Sequence, residues 1–113
     1  MHRSLWADYQ AETWGAKTIE QDEGFICFQT FPEHLYVQEI YVRPECRKEG
    51  VASKLAAKVE QIAVALGKSA LTAKVDTAQR TAALSMQAQL GYGFVPFHAE
   101  GGIVWFRKEL KES

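Results

Sequence analysis

Residues 41–53 read Tyr-Val-Arg-Pro-Glu-Cys-Arg-Lys-Glu-Gly-Val-Ala-Ser, and they pass from an apolar segment through a short basic loop into a helical pattern. Residues 35–42 are rich in the β-branched and aromatic residues typical of strands, so we expect a long, mostly buried strand there. Pro44 ends it, because proline cannot continue a sheet ladder. After Gly50, apolar residues recur at the spacing of one helical face: Val51, Leu55, Val59, Ile62 and Leu66. Gly67 is placed to end that helix.

The residues before this stretch predict a short helix followed by strands. Residues 4–14 predict the helix, with Ser4 as its N-cap and Gly15 at its end. Its larger side chains lie near one face: Leu5, Trp6, Tyr9 and Thr13. Residues 17–42 favour an antiparallel meander of three strands, with residues 24–30 as its clearest inner member.

The residues after this stretch complete an α/β pattern. Residues 69–75 predict a strand, and residues 77–90 predict a second helix that Gly91 ends. That helix takes its apolar side from Ala83, Leu84, Ala88 and Leu90. Residues 93–107 predict a hairpin. Because a helix leads from one strand to the next, we expect a parallel crossover within a mixed, mostly antiparallel central sheet flanked by helices.

Composition narrows the function classes. The chain has 113 residues, 47% of them hydrophobic, and we expect one domain over residues 1–113. The net charge of -1 argues against a nucleic-acid or membrane-surface binder. Cys27 and Cys46 lie far apart and lack metal-ligand spacing, so we expect reduced thiols, no metal site and no disulfide. The chain shows neither a signal peptide nor a run of about 20 apolar residues, so we expect a cytoplasmic protein.

The junction at Gly50 has the chemistry of an anion site. The first turn of a helix leaves backbone N–H groups unpaired and carries the positive end of the helix dipole. Glycine lets the backbone approach a ligand closely, and Arg43, Arg47 and Lys48 add positive charge suited to a pyrophosphate. The alternative is an ordinary strand–loop–helix junction with a solvated basic loop. The flanking pattern favours the phosphate-binding interpretation.

Residues 40–55 resemble the acetyl-CoA-binding motif of the GNAT acyltransferases, in which a strand ending in valine is followed by R/Q-x-x-G-x-G/A at a helix start. Residues 80–92 are similar to the second conserved segment of that family, a helix closing in Leu-Gly-Phe/Tyr. The resemblance covers about residues 17–108. It implies a GNAT-like acyl-CoA acyltransferase fold, shortened at its N-terminus, with acetyl-CoA as co-substrate and no metal.

The resemblance also implies which residues meet acetyl-CoA. The pyrophosphate would be held by a loop that begins at Arg47 and by the backbone amides of Lys48, Glu49, Gly50, Val51, Ala52 and Ser53. Main-chain groups of the strand would meet the pantetheine arm and the acetyl carbonyl, at Ile40, Tyr41 and Val42. We expect the side chains of Ile40 and Val42 to pack in the core. The parallel strands at 35–42 and 69–75 would splay apart there. Arg80 stands where relatives often have Asn, and it either reaches a CoA phosphate or is solvated.

For catalysis, the resemblance implies direct acetyl transfer to an amine, with a general base to take the amine proton. Glu39 is the candidate base; the alternative is a strand glutamate that faces solvent or pairs with a lysine. Relatives commonly carry a tyrosine as general acid four residues before the glycine that closes the second helix. That position here is Gln87, which cannot act as an acid, and Ser85 and Tyr92 are substitute donors.

Three functions follow from these features. The first is an acetyl-CoA-dependent N-acetyltransferase acting on a primary amine of a small molecule or protein, which Glu39 and the phosphate loop favour. The second is a catalytically weak CoA-binding module with a regulatory or structural role, which Gln87 favours. The third is a structural protein that keeps only the fold. Relatives usually have two helices over the acceptor site, so we expect a shallow acceptor pocket here, or one completed by a partner subunit as in a homodimer.

Overall fold

In a computed structural model, which describes residues 4–110, one six-stranded sheet is flanked by helices on both faces. In chain order the elements are α1 (Leu5–Trp14), β1 (Lys17–Gln21), β2 (Gly24–Thr30), β3 (His34–Val42), α2 (Val51–Ala65), β4 (Ala70–Asp76), α3 (Ala82–Tyr92), β5 (Val95–Glu100) and β6 (Ile103–Glu109). A short 3-10 turn, Pro44–Cys46, links β3 to α2. The predicted α/β class is confirmed. The prediction of one domain over residues 1–113 includes ends outside the described residues and stays a prediction.

The strands lie in the order β1-β2-β3-β4-β6-β5. In the described part of the chain, β3 and β4 are the one parallel pair, and the other neighbours are antiparallel. The predicted meander, parallel crossover and terminal hairpin are therefore confirmed. In the described region no helix is both long enough and apolar enough to cross a bilayer.

The main core lies on the sheet face that α2 and α3 cover, which we call the core face. Its cluster includes Ile26 and Phe106 from the sheet, Leu55 and Val59 from α2, and Ala82 from α3. Burying each large apolar side chain contributes about 1.5–3 kcal/mol, so these contacts fix the crossover helices on the sheet. The other face, which we call the outer face, carries α1 over its β1–β3 half.

Helix α1 has the predicted bounds, but its larger side chains stay exposed, although the Trp6 ring lies 5.8 Å from the Phe25 ring of β2. The Ser4 Oγ accepts a hydrogen bond from the Ala7 N–H at 3.0 Å, and Gly15 ends the helix at φ +68°. Leu5 is 87% exposed, whereas Ala7 and Gln10 are buried against the sheet. The side chain of Gln10 accepts a hydrogen bond from Gln38 of β3, and Gln38 accepts one from Gln29 of β2 at 2.7 Å. This amide chain sets the rotation of α1, which apolar spacing alone does not indicate.

Helix α3 departs from the prediction at both ends. It begins at Ala82 rather than residue 77, because Asp76 captures the chain in a turn: its Oδ1 accepts from the Ala78 N–H at 2.9 Å and its carbonyl from the Gln79 N–H at 3.1 Å. It continues through Gly91 and ends at Gly93, which has φ +106°. The predicted apolar side is also wrong. Its members are all exposed: Ala83, Leu84, Ala88 and Leu90.

Strand β3 is buried or half-buried up to Gln38, exposed over residues 39–41 and buried again at Val42. Leu35 is fully buried, but Ile40 and Tyr41 are 37% and 45% exposed. The prediction of a mostly buried strand is therefore wrong for residues 39–41, and so is the prediction that the Ile40 side chain packs in the core. Val42 does lie in the core cluster. The change occurs where β3 loses β4 as a neighbour.

Candidate functional site

The parallel ladder between β3 and β4 is shorter than either strand. It runs from His34 opposite Ala70 to Val37 opposite Ala73, yet β3 continues to Val42 and β4 to Asp76. Cys27 pairs with Glu39 and Phe28 with Val37, so Gln38 is an extra residue that bulges β3 where the ladder stops. A bulge bends its strand, and the two strands diverge beyond it. We call the opening between residues 38–42 and 74–76 the β3–β4 gap, and it confirms the predicted splay.

Beside this gap, the start of α2 presents a run of unpaired backbone amides. The N–H groups of residues 48–53 make no hydrogen bond to any residue that the structure describes. The neighbouring N–H groups on both sides are bonded. The Arg47 N–H donates to the Pro44 carbonyl at 3.3 Å, and the Lys54 N–H donates to the Gly50 carbonyl at 3.0 Å. Gly50 is the N-cap and supplies no side-chain oxygen to occupy these donors. We call residues 48–53 the amide cradle; unpaired N–H groups at the positive end of a helix favour anion binding.

Left-handed backbone at Lys48 and Gly50 shapes the cradle. Their φ angles are +67° and +82°, and Lys48 is the one non-glycine residue with positive φ in the described chain. A side chain introduced at Gly50 would meet open space, since no atom lies within 4 Å of an added Cβ. Glycine is therefore favoured at this position by backbone conformation rather than by crowding.

The two arginines near the cradle are held by the chain itself. The Arg47 Nε donates to the Val42 carbonyl at 3.0 Å, and its guanidinium lies 5.5 Å from the centre of the Tyr41 ring. The Arg43 Nε donates to the Asp22 carbonyl at 2.5 Å. Arg47 thus fastens the start of the loop to the end of β3. Lys48 is exposed within the cradle.

Glu39 lies on the outer face at the edge of the gap. Its pairing with Cys27 places it on the face opposite the core residues Ile26 and Phe28. Its side chain reaches solvent, but neighbouring protein partly desolvates the carboxylate and raises its pKa, while the positive charge of Lys74 acts in the opposite direction. Sequence reasoning missed Lys74, which lies between the buried Ala73 and Val75 and therefore points to the opposite, outer face.

Tyr36 is a second neighbour that the sequence analysis missed. Burial, together with the negative charge of Glu39, raises the pKa of Tyr36 to about 12. Its phenol therefore stays protonated at ordinary pH. Thr72 lies opposite Tyr36 on β4, and its buried hydroxyl has no hydrogen-bond partner among the described residues. The outer face at the gap thus combines a carboxylate, an ammonium group and two hydroxyls.

Family comparison agrees with this geometry. A profile described as the acetyltransferase (GNAT) family matches residues 2–92. The chain belongs to the GNAT acetyltransferase family. A search of curated protein sequences finds no significant match.

Solved structures share the GNAT fold at low identity. PaiA N-acetyltransferase from Thermoplasma acidophilum, in complex with coenzyme A, is 16% identical, with a TM-score of 0.75. The match covers 94% of this chain and 69% of the PaiA chain. A GNAT acetyltransferase from Elizabethkingia anophelis with acetyl-CoA bound is 14% identical, with a TM-score of 0.72; the match covers 95% of this chain and 84% of that protein. A GNAT-family protein from Desulfovibrio desulfuricans is 21% identical with a TM-score of 0.70 over 80% of this chain, which spans 65% of that protein. The likeness confirms the predicted GNAT-like fold.

Three further candidate residues of this GNAT chain, Gln87, Arg80 and Tyr92, lie on or beside α3. Gln87 is exposed on α3, and Arg80 is exposed in the turn before it, without an ion-pair partner in the described region. Tyr92 packs under Lys108, whose Nζ lies 4.2 Å from the ring centre and binds Glu60 at 2.6 Å. Tyr92 therefore belongs to a contact that joins α2, α3 and β6, which argues against it as a proton donor at the gap.

Metal ligands do not cluster in the described part of this GNAT chain. Among residues 4–110, no group of three or more His, Cys, Asp or Glu side chains is arranged to hold a metal ion. Cys27 and Cys46 are both free thiols.

Proposed function

We propose that this chain binds acetyl-CoA and transfers its acetyl group to a primary amine of a small molecule or protein. The observation that carries the proposal is the amide cradle, a run of unpaired N–H groups directly beside the β3–β4 gap. The cradle suits the pyrophosphate of CoA, with Lys48 adding positive charge. The gap suits an extended arm, because the main chain of Ile40 and Tyr41 lacks a β4 partner on that side. The bound CoA and acetyl-CoA of the structural relatives support the same assignment.

In this scheme Arg47 is a positioning residue. Its bond to the Val42 carbonyl holds the loop so that the amides of residues 48–53 point away from the chain's own acceptors. Arg80 stays a candidate for a CoA phosphate, since it is exposed at the turn that follows β4. The Val42 carbonyl is already used by Arg47, so main-chain contact with the arm falls mainly to Ile40 and Tyr41.

Glu39 is proposed as the general base. The attacking amine must be deprotonated before its nitrogen bonds to the acetyl carbon and the carbon–sulfur bond breaks. Partial desolvation raises the pKa of Glu39, which makes it a stronger proton acceptor than an ordinary surface glutamate. Its position on the outer face leaves it accessible to an acceptor arriving from the side opposite α2.

Gln87 favours a second candidate function, a CoA-binding module with weak or no catalysis. An amide side chain cannot protonate the departing thiolate, and the side chain is exposed on α3. Thiolate is a better leaving group than an alkoxide or amide, because the thiol pKa is only about 8.5, so solvent can supply that proton. We therefore expect transfer to survive, at a reduced rate.

Thiol release from acetyl-CoA in the presence of an amine panel tests the proposal. We expect amine-dependent release by the wild type and a roughly 100-fold or larger loss of kcat in Glu39→Gln, because general-base catalysis typically contributes that much. Glu20→Gln is the matched control, an equal change of charge at an exposed position on β1. Stabilisation by CoA without amine-dependent release would establish the module instead, and absence of both would leave only the structural role.

Two further assignments stay part of the proposal. The free thiols of Cys27 and Cys46 support a cytoplasmic location, where thiols remain reduced. The outer face is uncovered by helix beyond β3, because α1 contacts β1 and β2, and this supports a partner subunit such as a second copy over the acceptor side.

A further inference from the structure

Two opposite charges face each other across the β3–β4 gap without touching. Glu39 lies on the β3 side and Lys74 on the β4 side, both on the outer face. They form no salt bridge, although the positive charge of Lys74 acts on the Glu39 carboxylate and lowers its pKa against the larger effect of burial. Paired parallel strands lie about 4.8 Å apart, and Glu39 and Lys74 lie just beyond the point where that pairing ends.

On the β4–β6–β5 half of the outer face the other charged side chains have polar partners, and the Asp76 carboxylate at the end of the gap accepts a hydrogen bond from the Ala78 N–H at 2.9 Å. Arg107 pairs with Glu109 at 2.5 Å, and His98 lies 3.7 Å from Glu100. Lys74 has no salt-bridge partner among residues 4–110. It is therefore the cation at the gap that remains available to an anionic group.

An aromatic surface adjoins Lys74. Trp105 of β6 is directly opposite Lys74 in the β4–β6 ladder, and the imidazole of His98 on β5 lies 5.0 Å from the Trp105 ring. Trp105 is only partly buried, so one part of its ring remains accessible. An apolar group attached to a molecule held at Lys74 would lie over this ring.

We propose that the acceptor of the acetyl group is an amino acid with an apolar or aromatic side chain, whose amine faces Glu39, whose carboxylate binds Lys74 and whose side chain packs on Trp105. This inference rests on the proposed function and names its substrate class. A zwitterion satisfies both unpaired charges of the gap at once. A diamine would place a second positive charge near Lys74, and a simple amine would leave Lys74 without an anionic partner.

The test compares acceptors that share an aromatic side chain and differ at the carboxylate, with kcat/KM expressed per free amine. Thiol release is measured with phenylalanine, phenethylamine and phenylalaninamide, and we expect kcat/KM for phenylalanine to exceed that for the other two by about 10-fold or more, as a charge-assisted hydrogen bond allows. Lys74→Gln should reduce the ratio of phenylalanine to phenethylamine to near unity. Lys58→Gln, an equal change of charge at an exposed position on α2, should keep the wild-type ratio.

Equal kcat/KM for phenylalanine and phenethylamine, or a Lys74→Gln ratio equal to that of the wild type, would overturn the inference while leaving acetyl transfer in place. If no amine releases thiol, the proposed function fails, and calorimetric titration of phenylalanine into the CoA-saturated protein then decides the inference. Binding that Lys74→Gln weakens and Lys58→Gln does not would uphold the amino acid site. Absence of binding would reject it.

Discussion

Replacing Gly50 by aspartate would test the amide cradle directly. The residue is the N-cap of α2 at φ +82°, and an added Cβ meets nothing within 4 Å. The side chain therefore fits, and the folding cost is backbone strain of about 1–2 kcal/mol. Gly67 offers a matched control just beyond the other end of α2, with φ +74° and equally open space. Gly67→Asp carries the same strain and the same charge away from the cradle.

The loss of affinity can be worked from electrostatics. A carboxylate at Gly50 would lie roughly 5 Å from a phosphate held by the cradle, and at an effective dielectric constant of about 20–40 the repulsion is about 2–3 kcal/mol. That weakens CoA binding roughly 30- to 150-fold. At a CoA concentration of about 100 times the wild-type Kd, ligand stabilisation falls from about 2.7 kcal/mol to below about 1 kcal/mol.

Thermal melts with and without CoA measure this difference. Wild type and Gly67→Asp should each rise by roughly 10 °C with CoA, and Gly50→Asp by less than about 4 °C. Without CoA, Gly67→Asp should melt further below the wild type than Gly50→Asp, because a carboxylate is disfavoured by the helix dipole at the C-terminal end of α2 and favoured at its N-terminal end. A full CoA shift in Gly50→Asp would refute the placement of the pyrophosphate on residues 48–53.

Three further predictions concern Glu39, Gln10 and Glu60. The folded state holds the Glu39 proton more tightly than the unfolded chain, so this group's stabilisation is present below its unfolded pKa of about 4.3 and is lost as pH rises through the raised folded value. Glu39→Gln should therefore melt at a higher temperature than the wild type at pH 8, and this difference should close near pH 4. Equal differences at the two pH values would contradict the raised pKa. Gln10→Ala leaves the Gln38 amide without its α1 acceptor and should lower the free energy of unfolding in urea by about 1–3 kcal/mol, where no change would show the bond to be irrelevant. Glu60→Gln removes a partly buried ion pair with Lys108 and should cost about 1–2 kcal/mol in the same assay, in a variant that still binds CoA.

The cradle could be predicted from the sequence because its causes are local. The strand stops before a proline, a glycine precedes the helix, and an apolar face follows; all three are properties of residues near Gly50. The bounds of α2 and of β2 follow from equally local periodicity, and both match closely. Core positions such as Leu55 were predictable for the same reason.

Features that depend on distant partners were missed. The outward rotation of α1 depends on an amide chain from Gln10 to Gln38, and the exposure of Ile40 depends on where β4 leaves β3. The late start of α3 depends on a side chain, because the Asp76 carboxylate competes with helix formation. The opposition of Glu39 and Lys74 needs the register of two strands, which periodicity within one strand does not contain.

The short β3–β4 ladder has a consequence for the exchange of backbone hydrogens with solvent. Within residues 4–110, four ladder pairs, from His34 with Ala70 to Val37 with Ala73, join the β1–β2–β3 half of the sheet to the β4–β6–β5 half. Amides of residues 38–42 that point into the gap are therefore open to deuterium, while those bonded to β2 are protected. An extended molecule bound along β3 acts as a substitute strand, so slowed deuterium uptake at these few amides reports occupancy of the gap, whichever molecule fills it.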